Sequence, residues 1–351
     1  MALRALARVN LAAVERNVSR LRDGLSRGAG LCAVVKADGY GHGAVPVARA
    51  ALAGGARSLA VATADEAAEL RAGGIAAPVL VMGAISDAEL PVALAARAEL
   101  VAWSEHFVDQ VARASARSTV RLHVKLDTGM GRFGFAQLPP LGENVVGVMT
   151  HLATADSDPT FAERQLERFR SVGAVADTRL TLHAANSAAA LRLPGSRLDA
   201  ARCGIALYGL SPFGTDPAED GLEPVLGWRS ELAQVKRLDA GESTGYGRTY
   251  VAPRPTWIGL VPVGYGDGFP RSLTGTQVLV AGRRRTVVGT ISMDSFAVEL
   301  DGPLEPGTPV TLIGDGLRAE EHARIAGTIT YELACGIGRA PDRTSRSIVD
   351  G

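Results

Sequence analysis

The chain has 351 residues, enough for one large domain or two smaller ones, and 46% of them are apolar, which allows a substantial core and argues against disorder. Lysine plus arginine balances aspartate plus glutamate at 37 each, so charge gives no reason to expect nucleic acid or an anionic membrane as a partner. The cysteines Cys32, Cys203 and Cys335 lie far apart without metal-ligand or CxxC spacing, which fits a reduced cytoplasmic interior and predicts no metal site.

The chain opens on MALRALARVNLAAVERNVSRL, where Arg4, Arg8 and Glu15 interrupt any apolar core of a secretory signal. No apolar run approaches the roughly 20 residues that span a bilayer. Short apolar runs then recur at 31–36, 58–63, 78–83, 99–104, 120–127, 144–152, 180–187 and 199–207. Amphipathic segments separate several of them. The clearest is ADEAAELRAGG (64–74), with an acidic first turn and a glycine stop, and FAERQLERFRSV (161–172) is another. Eight strand candidates alternating with helices predict a parallel α/β barrel of the TIM type. In that architecture chemistry sits at the C-terminal ends of strands, and polar residues end these runs: Lys36, Lys125, His151, Asn186 with Ser187, and Arg202.

After about residue 222 the texture changes to short strands with glycine and proline turns, until HARIAGTITYELACGIG restores a helical period. The expected division is a barrel domain over 1–224 and a mostly β domain over 225–351. The turn-rich GLSPFGTDPAEDGLEP (209–224) is read as the linker.

The stretch LCAVVKADGYGHG (31–43) delivers a lysine from a buried-looking strand into a glycine-rich loop. An ammonium is costly to bury, so Lys36 either snorkels to solvent or acts as an amine. A lysine with a lowered pKa can form a Schiff base with an aldehyde, of which pyridoxal phosphate is the common cofactor.

The motifs VVKADGYGHG (34–43), KLDTGMGRFG (125–134), THLATAD (150–156), HAANSAA (183–189), ARCGIALYG (201–209), GYGRTY (245–250), VPVGYGDGFPR (261–271) and VGTISMDSF (288–296) follow one another over nearly the whole chain. In wording and order they resemble the alanine racemase family. That resemblance implies a homodimer of pyridoxal-phosphate enzymes with an α/β barrel and a C-terminal β domain, interconverting L- and D-alanine and supplying D-alanine for peptidoglycan.

The resemblance also implies roles. Lys36 would carry the cofactor and handle the α-proton on the D side; Tyr246, from the other subunit, would handle it on the L side. Two bases on opposite faces are what racemisation requires. A free tyrosine has a pKa of about 10, so Tyr246 would need a positive field, which His151 and Arg202 could supply. Tyr40, Ser187 and the backbone N–H groups of Gly204 and Ile205 would hold the phosphate, with Asn186 behind them or acting as a turn residue. Arg202 would face the pyridine nitrogen and hydrogen-bond His151; an arginine cannot take the ring's proton. Arg132 would contact the cofactor's ring oxygen and the substrate carboxylate, beside a carbamylated Lys125, while Asp127 would cap the following turn. The Met293 backbone would bind the substrate carboxylate, Asp294 would line the approach, and Tyr265 with Arg271 would form a gate from the second subunit.

One stretch departs from the family. No tyrosine follows Tyr331 in TYELACGIGRAPDRTSRSIVDG, where many members have one at the phosphate; either Arg339 takes its place, which would serve a phosphate well, or one residue is deleted. The alternatives are therefore a racemase of another small amino acid such as serine, or a catalytically weak cofactor-binding relative. A decarboxylase of this fold type would be expected to put a glutamate where Arg202 stands.

Overall fold

The structure, a computed structural model, describes residues 4–26, 28–114, 120–173, 179–314, 316–337 and 343–349. Two compact units emerge, one comprising residues 13–213 and 217–223, the other residues 1–12, 214–216 and 224–351.

The first unit is the expected barrel. Its strands are Gly30–Val34, Ser58–Val61, Val79–Val81, Glu99–Ala102, Leu122–Lys125, Val145–Met149, Thr181–His183 and Ala200–Cys203. From the first to the seventh, each pairs in parallel with the next, and the eighth, Ala200–Cys203, pairs in parallel with the first. The ring closes where the Asp199 amide donates to the Leu182 carbonyl and the Arg202 amide to that of Ala185, both at 2.9 Å. All eight predicted runs became strands because apolar residues on both faces suit a strand covered by crossover helices outside and packed side chains inside. Leu59, Val61, Val79, Leu100 and Val148 have no exposed surface.

The helix predicted at 64–74 runs Ala64–Ala72. Thr63 accepts from the Glu66 amide at 3.2 Å, and the Glu66 carboxylate reaches back to the Thr63 N–H, a reciprocal cap. The helix predicted at 161–172 runs Pro159–Gly173.

The second unit is built on a nine-stranded sheet. Its core holds Trp228 against Phe269 at 6.0 Å and Phe269 stacked on Phe296 at 4.7 Å. The helical period read late in the chain forms Ala319–Ala326 and Thr330–Gly336.

The division differs from the expected 1–224 and 225–351 at its start. Leu6–Asn10 is a strand of the second unit, antiparallel to Leu226–Glu231 and parallel to Ser345–Val349. Ala7 and Val9 alternate inward with the two-residue strand period. The predicted linker is also not slack. Asn17 donates to the carbonyls of Leu207 and Glu223 at 3.1 and 2.8 Å and accepts from the Glu223 amide, pinning the end of the segment to the barrel unit.

Candidate active site

Lys36 follows the fully buried strand Gly30–Val34 by two residues and is itself half-buried. The chain then makes a left-handed turn: φ is 53° at Ala37, 52° at Asp38, 59° at Gly39 and 53° at Tyr40. Only Gly39 takes this conformation cheaply; each of the others costs about 1–2 kcal/mol. Hydrogen bonds hold the turn. Glu66 accepts from the Ala37 amide at 2.6 Å, and Asp38 accepts from the Ala44 amide at 2.9 Å. The second Glu66 oxygen receives the amides of Ala62 and Thr63. One carboxylate thus fixes the residue after Lys36 and the start of a neighbouring helix.

Tyr40, on the far side of the turn, is buried against Tyr208, with ring centroids 4.9 Å apart. Tyr208 in turn donates to the Val34 carbonyl at 3.0 Å. Across from Tyr40 lies Gly204, where a Cβ would stand 2.5 Å from the Tyr40 hydroxyl, so this close approach requires glycine. The Gly204 amide donates to Ser187 Oγ at 2.9 Å and the Ala206 amide to the same oxygen at 3.4 Å. Tyr40, Ser187, Gly204 and the adjoining buried Ile205 are thus brought together. Asn186 takes the turn role: its side-chain oxygen accepts from the Ala189 amide at 3.0 Å, and it caps the helix Ser187–Arg192.

Arg202 is 3% exposed. Its guanidinium donates to the carbonyls of Thr150, His183 and Ala184, to His183 Nδ1 at 3.0 Å and to His151 Nδ1 at 3.4 Å. The pairing with Asp199 that a surface arginine would favour is not made; Asp199 instead accepts from the Leu182 amide. Burial pulls the Arg202 pKa down to about 10, which leaves it charged at neutral pH.

His151 is the meeting point of the charges. Burial first, then the fields of Arg202, Arg132, Lys125 and Lys36, push it down to about 3, so it is a neutral imidazole. Those four cations come from three strands, Lys36 after Gly30–Val34, Lys125 and Arg132 at and after the end of Leu122–Lys125, and Arg202 in Ala200–Cys203, and gather at one end of the barrel. Lys125, 6% exposed, is pulled down to about 8 by burial and by the fields of Arg132 and Arg202, against the pull of Asp127. Asp127 caps its turn, accepting from the amides of Gly129, Met130, Gly131 and Arg132. Arg132 itself is exposed.

The remaining predicted residues belong to the second unit. Tyr246 is 72% exposed; its carbonyl accepts from Thr290 Oγ1 at 3.0 Å. Tyr265 and Met293 are exposed side chains on two loops joined through backbone: the Tyr265 amide donates to the Ser292 carbonyl at 3.1 Å and the Gly266 amide to that of Met293 at 3.0 Å. Asp294 pairs with Arg343 at 2.7 Å. Behind both loops Asp267, with a fully buried side chain, receives Arg4 and Arg343. Arg271 is exposed at the start of a short turn. Arg339 lies outside the described residues.

Sequence reasoning missed Glu66, His183 and Asp267. Glu66 was visible only as an ordinary helix-start acid. His183 lies within the predicted run 180–187, at the start of HAANSAA, and a strand histidine by itself reads as core.

Family models for the alanine racemase N-terminal domain and C-terminal domain match residues 9–212 and 225–345. The chain belongs to the alanine racemase family. Alanine racemase 1 of Bacillus subtilis is 41% identical, covering 94% of this chain and 90% of its own. The alanine racemase of Halorhodospira halophila is 42% identical over 100% of this chain and 99% of its own. Among solved structures, the alanine racemase of E. faecalis superposes with a TM-score of 0.91 at 36% identity, covering 99% of this chain and 98% of that one. The chain is therefore an amino-acid racemase, an isomerase, and these relatives do not favour the serine-type or catalytically weak alternatives. No described helix is long and apolar enough to cross a membrane.

Proposed function

We propose that this alanine racemase family member uses pyridoxal 5'-phosphate, works as a homodimer that completes each site with residues of the second subunit, and supplies D-alanine for peptidoglycan in the cytoplasm. The observation that carries the cofactor reading is the donor set of the barrel end. A buried guanidinium surrounded by imidazoles and carbonyls, a tyrosine hydroxyl, a serine and a glycine cradle with no room for a Cβ suit a phosphorylated, anionic ring. The gathered cations Lys36, Lys125, Arg132 and Arg202 add the matching charge.

Tyr40, Ser187, Gly204 and Ile205 would hold the phosphate, Arg202 the ring nitrogen, and Lys36 the aldehyde carbon. When bound, the cofactor withdraws electrons from the substrate α-carbon and so makes its proton removable. One of Lys36 Nζ and Tyr246 Oη then takes that proton on one face, and the other, carrying a solvent-derived proton, delivers its own from the opposite face. His151 stays neutral in the field of its neighbours and orients Arg202. Arg202, with only N–H donors, would donate to the ring nitrogen and cannot hold a proton on it as a carboxylate would. Arg132 and the Met293 backbone would receive the substrate carboxylate, with Tyr265, Asp294 and Arg271 limiting its approach. The neutral fraction of Lys125 near pH 8 is the form that adds carbon dioxide, and the resulting carbamate would remove a like charge beside Arg132.

The test is chiral analysis of products in heavy water. L-alanine should give D-alanine deuterated at the α-carbon, faster than L-serine or larger L-amino acids give their enantiomers. Preference for serine would refute the alanine assignment, and absence of exchange with cofactor bound would refute the racemase mechanism.

A further inference from the structure

Arg202 lacks a carboxylate partner among the described residues, yet a carboxylate stands at the end of a chain that begins at its guanidinium. Arg202 donates to His183 Nδ1 at 3.0 Å, His183 Nε2 lies 2.9 Å from His123 Nδ1, and His123 Nε2 lies 3.1 Å from a Glu99 oxygen. The two imidazoles meet edge to face at 88°. Every member belongs to the barrel unit, and both histidines are buried.

The protons in this chain have one consistent arrangement. Arg202 has only donors, so His183 Nδ1 must accept, and the proton of His183 sits on Nε2. His123 Nδ1 must then accept, because a proton there would leave His183 with two accepting nitrogens and no proton. The remaining proton is on His123 Nε2, facing Glu99. Burial and the Arg202 field keep His183 neutral, its pKa well below the ordinary value. Burial opposes a charge on Glu99, but the hydrogen bonds from His123 and Arg121 and the field of Arg121 more than offset this, leaving it below the usual carboxylate range. Both imidazole dipoles therefore align, lone pair toward the cation and N–H toward the anion. In a low-dielectric interior, aligned links polarise one another.

We propose that Glu99, acting through His123 and His183, is the counter-charge that fixes the buried Arg202 guanidinium, which makes it a positioning residue for the group Arg202 faces. This rests on the reading above, in which that group is the cofactor's pyridine nitrogen. Glu99 begins its strand, whereas Arg202 lies inside its own, so the chain runs through the barrel interior from the end opposite the site. The other Glu99 oxygen accepts from the exposed Arg121 at 2.6 Å, which supplies a control.

The experiment compares Glu99→Gln with Arg121→Gln as holoenzymes. Glu99→Gln keeps an acceptor but removes the charge. It should lower kcat about tenfold, on the scale seen when a hydrogen-bond partner behind a ligand is removed, with KM for alanine nearly unchanged. It should also move the pyridine nitrogen resonance of 15N-labelled cofactor and the side-chain resonances of His183. Arg121→Gln removes the surface partner only and should leave all of these in place. Equal effects of the two variants, or a Glu99→Gln enzyme with unchanged resonances and kcat, would overturn the proposal. Should Glu99→Gln fail to fold, the wild-type 15N spectrum still decides: both histidines must be neutral with the proton on Nε2, and a proton on Nδ1 of His123 contradicts the chain. Arg202→Lys separates the two readings. If it leaves the ring-nitrogen resonance unmoved, the placement of Arg202 is wrong; if it moves that resonance and Glu99→Gln does not, only the relay is wrong.

Discussion

In the barrel unit Arg202, His183 and Ser187 are each 3% exposed, whereas in the β unit Tyr246 is 72% exposed and Met293 51% exposed. The barrel groups are held by hydrogen bonds that leave little choice of orientation. The β-unit groups have fixed backbones, through Thr290, Ser292 and Asp267, but side chains that reach into solvent. Burying a guanidinium or a lysine is costly unless its surroundings are arranged for it. The barrel therefore carries a pre-arranged electrostatic site. In the dimer proposed above, the β unit would present its candidate side chains on a fixed backbone to the second subunit.

That contrast can be broken most sharply at Tyr246. Tyr246→Phe should cut deuterium exchange from L-alanine by about 10²–10⁴-fold, the range of a single general acid or base, while cofactor titrates in as before. Loss of cofactor binding would place Tyr246 in the barrel's kind of role instead. The next effect tests the frame. Trp228→Ala should lower unfolding stability by about 3–5 kcal/mol, read by urea denaturation, without altering the cofactor's absorbance in the fraction still folded.

Lys125 sharpens the barrel side through pH. As the free amine, in buffer purged of carbon dioxide, it binds its proton less tightly folded, with a pKa of about 8 against the ordinary 10.5, so the unfolded chain carries the extra proton between those values. Its charge therefore opposes folding below about pH 8, and stability should rise as pH climbs through this window. Lys125→Met should flatten that rise in thermal melts. In the native protein, 13C-bicarbonate should give one carbamate resonance that this variant lacks. The smallest expected effect is at Glu66. Glu66→Gln turns one acceptor into a donor facing backbone N–H groups and should cost about 1–3 kcal/mol. Activity should fall beyond that stability loss, because the strained turn after Lys36 is released.

Much of the barrel was legible because its strands are apolar throughout and end on polar residues. Lys36, Lys125, His151 and Arg202 stood out by their position, and the motif order supplied the family. Three features were hidden for physical reasons. Leu6–Asn10 reads as part of the N-terminal segment, and only long-range pairing with Leu226–Glu231 and Ser345–Val349 assigns it to the β unit. The left-handed turn places Ala37, Asp38 and Tyr40 where local preference would not, and the hydrogen bonds that hold it come from Glu66 and Ala44. His123 and Glu99 lie in different strands from Arg202, so their link exists only once the barrel closes.

The proposed division of labour between a prewired barrel and a β unit completing it from a second chain is tested most directly by mixing two inactive variants. Lys36→Ala and Tyr246→Phe would be unfolded, mixed in equal amounts and refolded with cofactor, and native mass spectrometry would establish that mixed dimers form. Each mixed dimer should hold one site with both Lys36 and Tyr246 intact, restoring about a quarter of the wild-type rate for random pairing of a two-fold dimer. Mixed dimers with no recovered activity would contradict a site shared between subunits.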